Sequence, residues 1–141
     1  MGIKPVAVVG ILTISILLAG CLSEYKKSET KGIIFEIKPA NITVKDNESA
    51  QVKIYVNNTG KSTIHPVVRF NLNPGDRPYV DFIPESYDLG SLRPGEDSGS
   101  RIVDIKARTA AGIEVKYVAR AQVINDGAVL ESKDIVITVT R

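Results

Sequence analysis

The chain has one cysteine, Cys21, and it falls in the first fifth of the sequence. A single thiol closes no disulfide within the chain, whatever the compartment. Tryptophan is missing and His65 is the only histidine. The cysteine pair and core tryptophan of antibody-type domains are therefore excluded. A structural zinc site, which needs several Cys or His ligands at set spacing, has too few donors. An excess of either charge is missing too, with 18 Lys plus Arg against 16 Asp plus Glu. Lys53, Arg69, Lys106, Lys116 and Arg120 mostly alternate with apolar residues. That is the pattern of a solvated sheet face rather than a phosphate-binding stripe, so nucleic acid is not an expected partner.

What is present starts with a distinctive front end. Lys4 supplies a positive charge, Val6 to Leu18 carries no charge, and Ala19-Gly20-Cys21 follows. A short basic start, an apolar stretch and small residues at a cut form a secretory signal. The apolar run from Val6 through Leu22 is at the short end of what spans a hydrocarbon layer as a helix. Leu18-Ala19-Gly20-Cys21 resembles the lipobox of prokaryotic lipoproteins. The resemblance implies that residues 1–20 are removed and that Cys21, whose thiolate is the nucleophile such chemistry needs, takes a lipid and becomes the first residue. Two acyl chains, at about 0.8 kcal/mol per buried CH₂, then hold the protein stably at the outer face of the membrane. Two alternatives stay open: an uncleaved N-terminal transmembrane anchor, and soluble secretion. Residues 21–31 are polar and charged and read as a flexible tether.

From Gly32 onward apolar residues recur with period two, which places them on one face of a strand. Val52, Ile54 and Val56 alternate with Lys53 and Tyr55; Val115, Tyr117, Ala119, Ala121 and Val123 alternate with Lys116, Arg120 and Gln122. Strands are expected near Ile33–Lys38, Ile42–Val44, Gln51–Val56, Val67–Leu72, Tyr79–Ile83, Ile102–Ala107, Ile113–Ile124 and Ile135–Thr140. Asn125-Asp126-Gly127 between the last two is a hairpin signal, because a tight primed turn needs positive φ at both central residues. No helical period appears outside the leader. The expectation is an all-β domain over 32–141, a single immunoglobulin-like antiparallel β-sandwich of 7–8 strands preceded by a hydrophobic signal or anchor helix.

Val56-Asn57-Asn58-Thr59-Gly60 and Leu89-Gly90-Ser91-Leu92-Arg93-Pro94-Gly95-Glu96 resemble signatures of CARDB-like modules on prokaryotic cell surfaces. The resemblance spans about Ile33 to Val139 and implies a binding or spacer module, with no catalytic residues to carry over. Its motifs are turn chemistry, which specifies fold better than function.

Catalysis needs converging groups, and the inventory is thin. His65 precedes Pro66 at a strand start and reads as solvent-facing. The loop carboxylates Glu85, Asp88, Glu96 and Asp97 pair in sequence, as a hydrolase would require, but their surroundings are exposed turns. Asp76, Asp81 and Asp88 share one irregular stretch without the loop pattern that builds a calcium shell. Tyr117 is expected either to close a corner through a backbone hydrogen bond or to fill the core beside Val115 and Ala119. Three Asn-x-Ser/Thr acceptors, at Asn41, Asn47 and Asn57, are expected at turns and fit N-glycosylation of a surface protein.

No enzyme activity, metal or cofactor is expected. The functional expectation is a membrane-anchored extracytoplasmic lipoprotein that binds a protein or polysaccharide of the cell envelope. A structural spacer or assembly subunit of a surface-layer or transport complex is the alternative, and a carboxylate-based hydrolase a remote one.

Overall fold

In the computed structural model, residues 32–109 and 113–141 are described. The lipobox residues Leu18, Ala19 and Gly20, the lipid acceptor Cys21, the signal or anchor helix and the tether lie outside them. All nine regular elements among the described residues are strands: β1 Ile33–Lys38, β2 Asn41–Lys45, β3 Ser49–Asn58, β4 Val67–Leu72, β5 Val80–Ile83, β6 Ser86–Asp88, β7 Arg101–Ala107, β8 Val115–Asn125 and β9 Ala128–Thr140.

They form two sheets, one in the order β1-β3-β7-β5 and the other in the order β2-β9-β8-β4-β6. The period-two pattern decides which side of each strand turns inward. Val52, Ile54 and Val56 from β3, Val103 and Ile105 from β7, Ala119, Ala121 and Val123 from β8, and Ile135, Ile137 and Val139 from β9 are fully buried. At about 1.5–3 kcal/mol for each fully buried large aliphatic side chain, this interleaved layer is what holds the sheets face to face. Lys53, Lys106, Lys116 and Arg120 point the other way and are exposed.

The Asp-Gly turn is realised as expected. Asn125 pairs with Ala128, and Asp126 and Gly127 both have positive φ, 49° and 78°, so a two-residue primed turn joins β8 to β9 antiparallel.

Four features depart from the sequence expectation. β9 begins at Ala128, well before Ile135, because a bulge between Val123 and Ile124 shifts the register and lets the irregular stretch Val129–Asp134 remain in the ladder. β2 pairs with β9 in parallel, Ile42 opposite Ile137. That makes the sandwich mixed rather than wholly antiparallel. The chain swaps sheets between β1 and β2, where Pro39 lacks the N–H needed to continue a ladder. Finally, the three-residue β6 pairs with β4 at Val67–Arg69, a strand too short to show any period, and it raises the total to nine.

Candidate binding surface

The two signature motifs meet, and what they build is a lock. Asn58 closes β3, is fully buried, and saturates its amide. Its Nδ2 donates to the carbonyls of Ser62 and Leu92, 2.8 Å each, and its Oδ1 accepts from Gly60 N–H at 3.0 Å. Its backbone joins the second motif as well: Asn58 N–H donates to Glu96 O at 2.9 Å, and Gly95 N–H donates to Asn58 O at 2.7 Å. Just beyond, Ser98 Oγ accepts from Val56 N–H at 3.0 Å in a buried position. Gly95 needs its φ of 84° for this approach. Asn58 and Leu92 are directed inward and hold the motifs to each other, while Ser91, Arg93 and Glu96 stay exposed.

At the same end, His65 is half exposed but not isolated. Its Nε2 lies 2.8 Å from Asp88 Oδ1, and its Nδ1 lies 3.5 Å from Ser91 Oγ, the outer limit of a hydrogen bond. The Gly90 N–H bond to Asp88, with the His65 bond second, holds the Asp88 carboxyl below its usual pKa. The sequence reading had His65 merely facing solvent; the chain returning through β6 brings it a carboxylate partner. Asp88 and His65 are each more than half exposed, and water screens the pair.

The other loop carboxylates have local duties. Glu96 forms an ion pair with Arg93 at 3.0 Å, and Asp97 accepts from Gly99 N–H at 2.8 Å. Among the described residues, no group of three or more His, Cys, Asp or Glu is placed to hold a metal ion. Asp76 instead accepts the Tyr79 N–H on its backbone carbonyl, 2.9 Å.

Tyr117 performs both roles offered for it. Its ring is buried with the core and lies parallel to Tyr79, centroids 6.2 Å apart. Its hydroxyl donates to Arg108 O at 2.9 Å, tying β8 to the segment that follows β7. Burial first, then the Asp76 carboxylate, pushes its phenol above the usual value.

The glycan acceptors divide. Asn41 opens β2 and Asn47 sits in the turn after it, φ 65°; both are exposed. Asn57 is not in a turn: it lies within β3, opposite Ile34, and its Oδ1 is buried without a hydrogen-bond partner among the described residues.

What remains outward is the face of the five-stranded sheet. Asn71 Nδ2 donates to Gln122 Oε1 at 2.8 Å. Arg120 stands directly opposite Asp134 in the ladder, with Nε 3.4 Å from its carboxylate. These four side chains, with Asn73 and Val118, line a shallow depression of about 530 Å³ across β4, β8 and β9. Alternation made Asn71, Arg120 and Gln122 legible as outward; Asp134 precedes the strand expected from Ile135, and the convergence needed the longer β9 and the strand order β4-β8-β9.

No protein-family model matches the sequence, nor does any curated protein match it. Solved structures do match in shape. One is α2-macroglobulin of Escherichia coli in its native conformation, at TM-score 0.58, 13% identity, 77% of this chain and 6% of that one. Another is Salmonella α2-macroglobulin reacted with methylamine, at TM-score 0.58, 12% identity, 77% and 7%. A CARDB domain from Pyrococcus furiosus, solved in complex with di-metal ions, aligns at TM-score 0.48, 19% identity, 77% and 87%. The chain thus spans only a small fraction of the macroglobulins it matches. Those two likenesses show the fold alone, and the third is too loose to add to it. The domain is an immunoglobulin-like, all-β sandwich of two sheets.

Proposed function

We propose that this chain is an extracytoplasmic lipoprotein, related to CARDB-like modules, whose sandwich is a non-catalytic binding module for a protein or polysaccharide of the cell envelope. The observation that carries the binding role is the ladder of Asn71, Gln122, Arg120 and Asp134 across the five-stranded sheet. Amide, guanidinium and carboxylate groups fixed on paired strands present donors and acceptors at set spacing, and strands hold such groups more rigidly than loops do. The front end supports the address, since Leu18-Ala19-Gly20-Cys21 follows an uncharged stretch. Exposed Asn41 and Asn47 are the acceptors suited to glycan; Asn57, tied into its strand, is poorly presented.

Two measurements test this. Mass spectrometry of the mature N-terminus is expected to find Cys21 first and acylated; an intact Met1 on a cytosolic protein would overturn the address. The full-length protein, crosslinked in membranes, is expected to capture an envelope component that the double variant Arg120→Glu, Gln122→Lys does not. Equal capture by both forms would remove this face from the account.

A further inference from the structure

A second surface lies around the corner of β4, where the sandwich is open. β4 runs from Val67 to Leu72, yet β6 covers it only at Val67–Arg69. The chain that would have continued β6 lies in the other sheet as β5, paired with β7, and crosses over at Pro84 and Glu85. Its last reach toward β4 is Glu85 O, which accepts from Phe70 N–H at 3.2 Å.

In an antiparallel ladder the N–H and C=O of one residue face one neighbour and those of the next residue face the other. Phe70 faces the β6 side, and so Leu72 does too, while Asn71 faces β8. On that side no described strand pairs with Phe70–Leu72. The N–H and C=O of Leu72 and the C=O of Phe70 therefore line a bare strand edge.

That edge borders a cleft of about 320 Å³ between β4 and β5, at the lower end of the size of ligand sites. Its floor is the Phe70 and Phe82 ring pair, parallel with centroids 4.7 Å apart. Its rim carries charges of both signs, Arg69 and Arg77 with Asp81 and Glu85. None of the four is in an ion pair with another described residue.

We propose that this cleft takes up one extended peptide segment of a partner protein as an added strand, antiparallel to β4 and in line with β6. An apolar side chain of the segment covers the Phe70–Phe82 floor, and flanking acidic and basic side chains pair with Arg69 or Arg77 and with Asp81 or Glu85. Main-chain bonds supply affinity in such strand addition, and the pocket and rim supply selectivity. A sugar would satisfy the rim but has nothing to match the alternating backbone groups of the edge. The proposal rests on the reading of the domain as a binding module; the cleft adjoins the outer-face depression and shares Asn71 and Leu72 with it, but its ring floor and charged rim lie outside it.

The probe is a fluorescein-labelled nonapeptide alternating Val with Glu, Thr and Lys, titrated by fluorescence polarisation against the full chain in detergent. Two further versions carry N-methyl groups on alternate residues, one on the odd set and one on the even set. Only every second N–H of an added strand faces its host, so one set is expected to weaken binding at least about tenfold while the other changes it less than about threefold. The exposed double variant Arg69→Glu, Arg77→Glu is expected to weaken binding of the unmethylated peptide by about fivefold or more, and Lys45→Glu, exposed on β2, to leave it unchanged. Absence of saturable binding up to about 1 mM, or equal effects of the two methylation sets, overturns the proposal. If the peptide fails while membrane crosslinking still captures a component through the outer face, the strand-addition idea alone falls; if both fail, the binding module falls with it.

Discussion

The two halves of β4 have the same neighbour on one side and different fates on the other. From Val67 to Arg69 the strand lies between β8 and β6. Its flanking loops are closed by hydrogen bonds: Leu89 N–H to Pro66 O at 3.0 Å, and the reciprocal pair between Ile64 and Leu92. From Phe70 to Leu72 it has β8 alone. The closed half belongs to the end of the sandwich where the signature motifs converge on Asn58. The open half borders a cleft with four charges on its rim. The difference teaches that the most recognisable stretches of this sequence are committed to holding the fold, and that recognition is left to surfaces made by strand order.

That contrast breaks most readily at Asn58. Replacement by Ala removes three side-chain bonds from a fully buried position. It leaves the Ser62 carbonyl and the Gly60 N–H to find other partners, and the Leu92 carbonyl with the Ile64 N–H alone. Unsatisfied buried groups cost about 1–3 kcal/mol each, with partial rescue by water, so a loss of about 3 kcal/mol is expected in urea unfolding monitored by circular dichroism. If Asn58→Ala unfolded at the wild-type midpoint, the loops would not be locked in the sense argued here. Tyr117→Phe is the milder case: the ring stays in the core, and only the bond to Arg108 O at 2.9 Å is lost. A cost of about 1 kcal/mol is expected from the same measurement. The open side predicts near silence, since Arg77→Glu changes a side chain exposed on the cleft rim. Its unfolding free energy should stay within about 0.5 kcal/mol of wild type. A larger loss would mean that the rim is structural after all.

The inward faces and the β8–β9 turn were legible in the sequence, and the two fates of β4 were not, for a physical reason. Side-chain period two marks Val52, Ile54 and Val56 as inward whatever they pack against, and Asp126-Gly127 dictates its turn locally. These are short-range facts. Which sheet a segment joins is long-range. Nothing in Ser86-Tyr87-Asp88 says that it will pair with Val67–Arg69, or that Val80–Ile83 just before it will pair with β7 instead. The cleft exists only because of that crossing. The same limit explains β2, whose alternation predicts a strand but not a parallel partner, and Asn57, whose Asn-Asn-Thr looks like a turn yet lies in the ladder. His65 gains Asp88 for the same reason: 23 residues separate them, and β6 brings them to 2.8 Å.

A small effect is expected of this His65–Asp88 contact, and pH reveals it. Because the Gly90 N–H and then His65 favour the carboxylate, the folded-state pKa of Asp88 lies below its ordinary value of 3.8. A carboxyl depressed on folding stabilises the native state above its unfolded pKa, and that contribution fades as pH falls through the folded value. Asp88→Asn, which keeps the size and an acceptor oxygen for Gly90, is therefore expected to lower the melting temperature slightly at pH 7. At a pH well below 3.8 variant and wild type should melt together. Both groups are exposed, so raised salt should shrink the difference at pH 7. A gap that persists unchanged in strong acid would mean that the side chain acts through packing or turn geometry, and the charge of Asp88 would then have no part in closing this end of the sandwich.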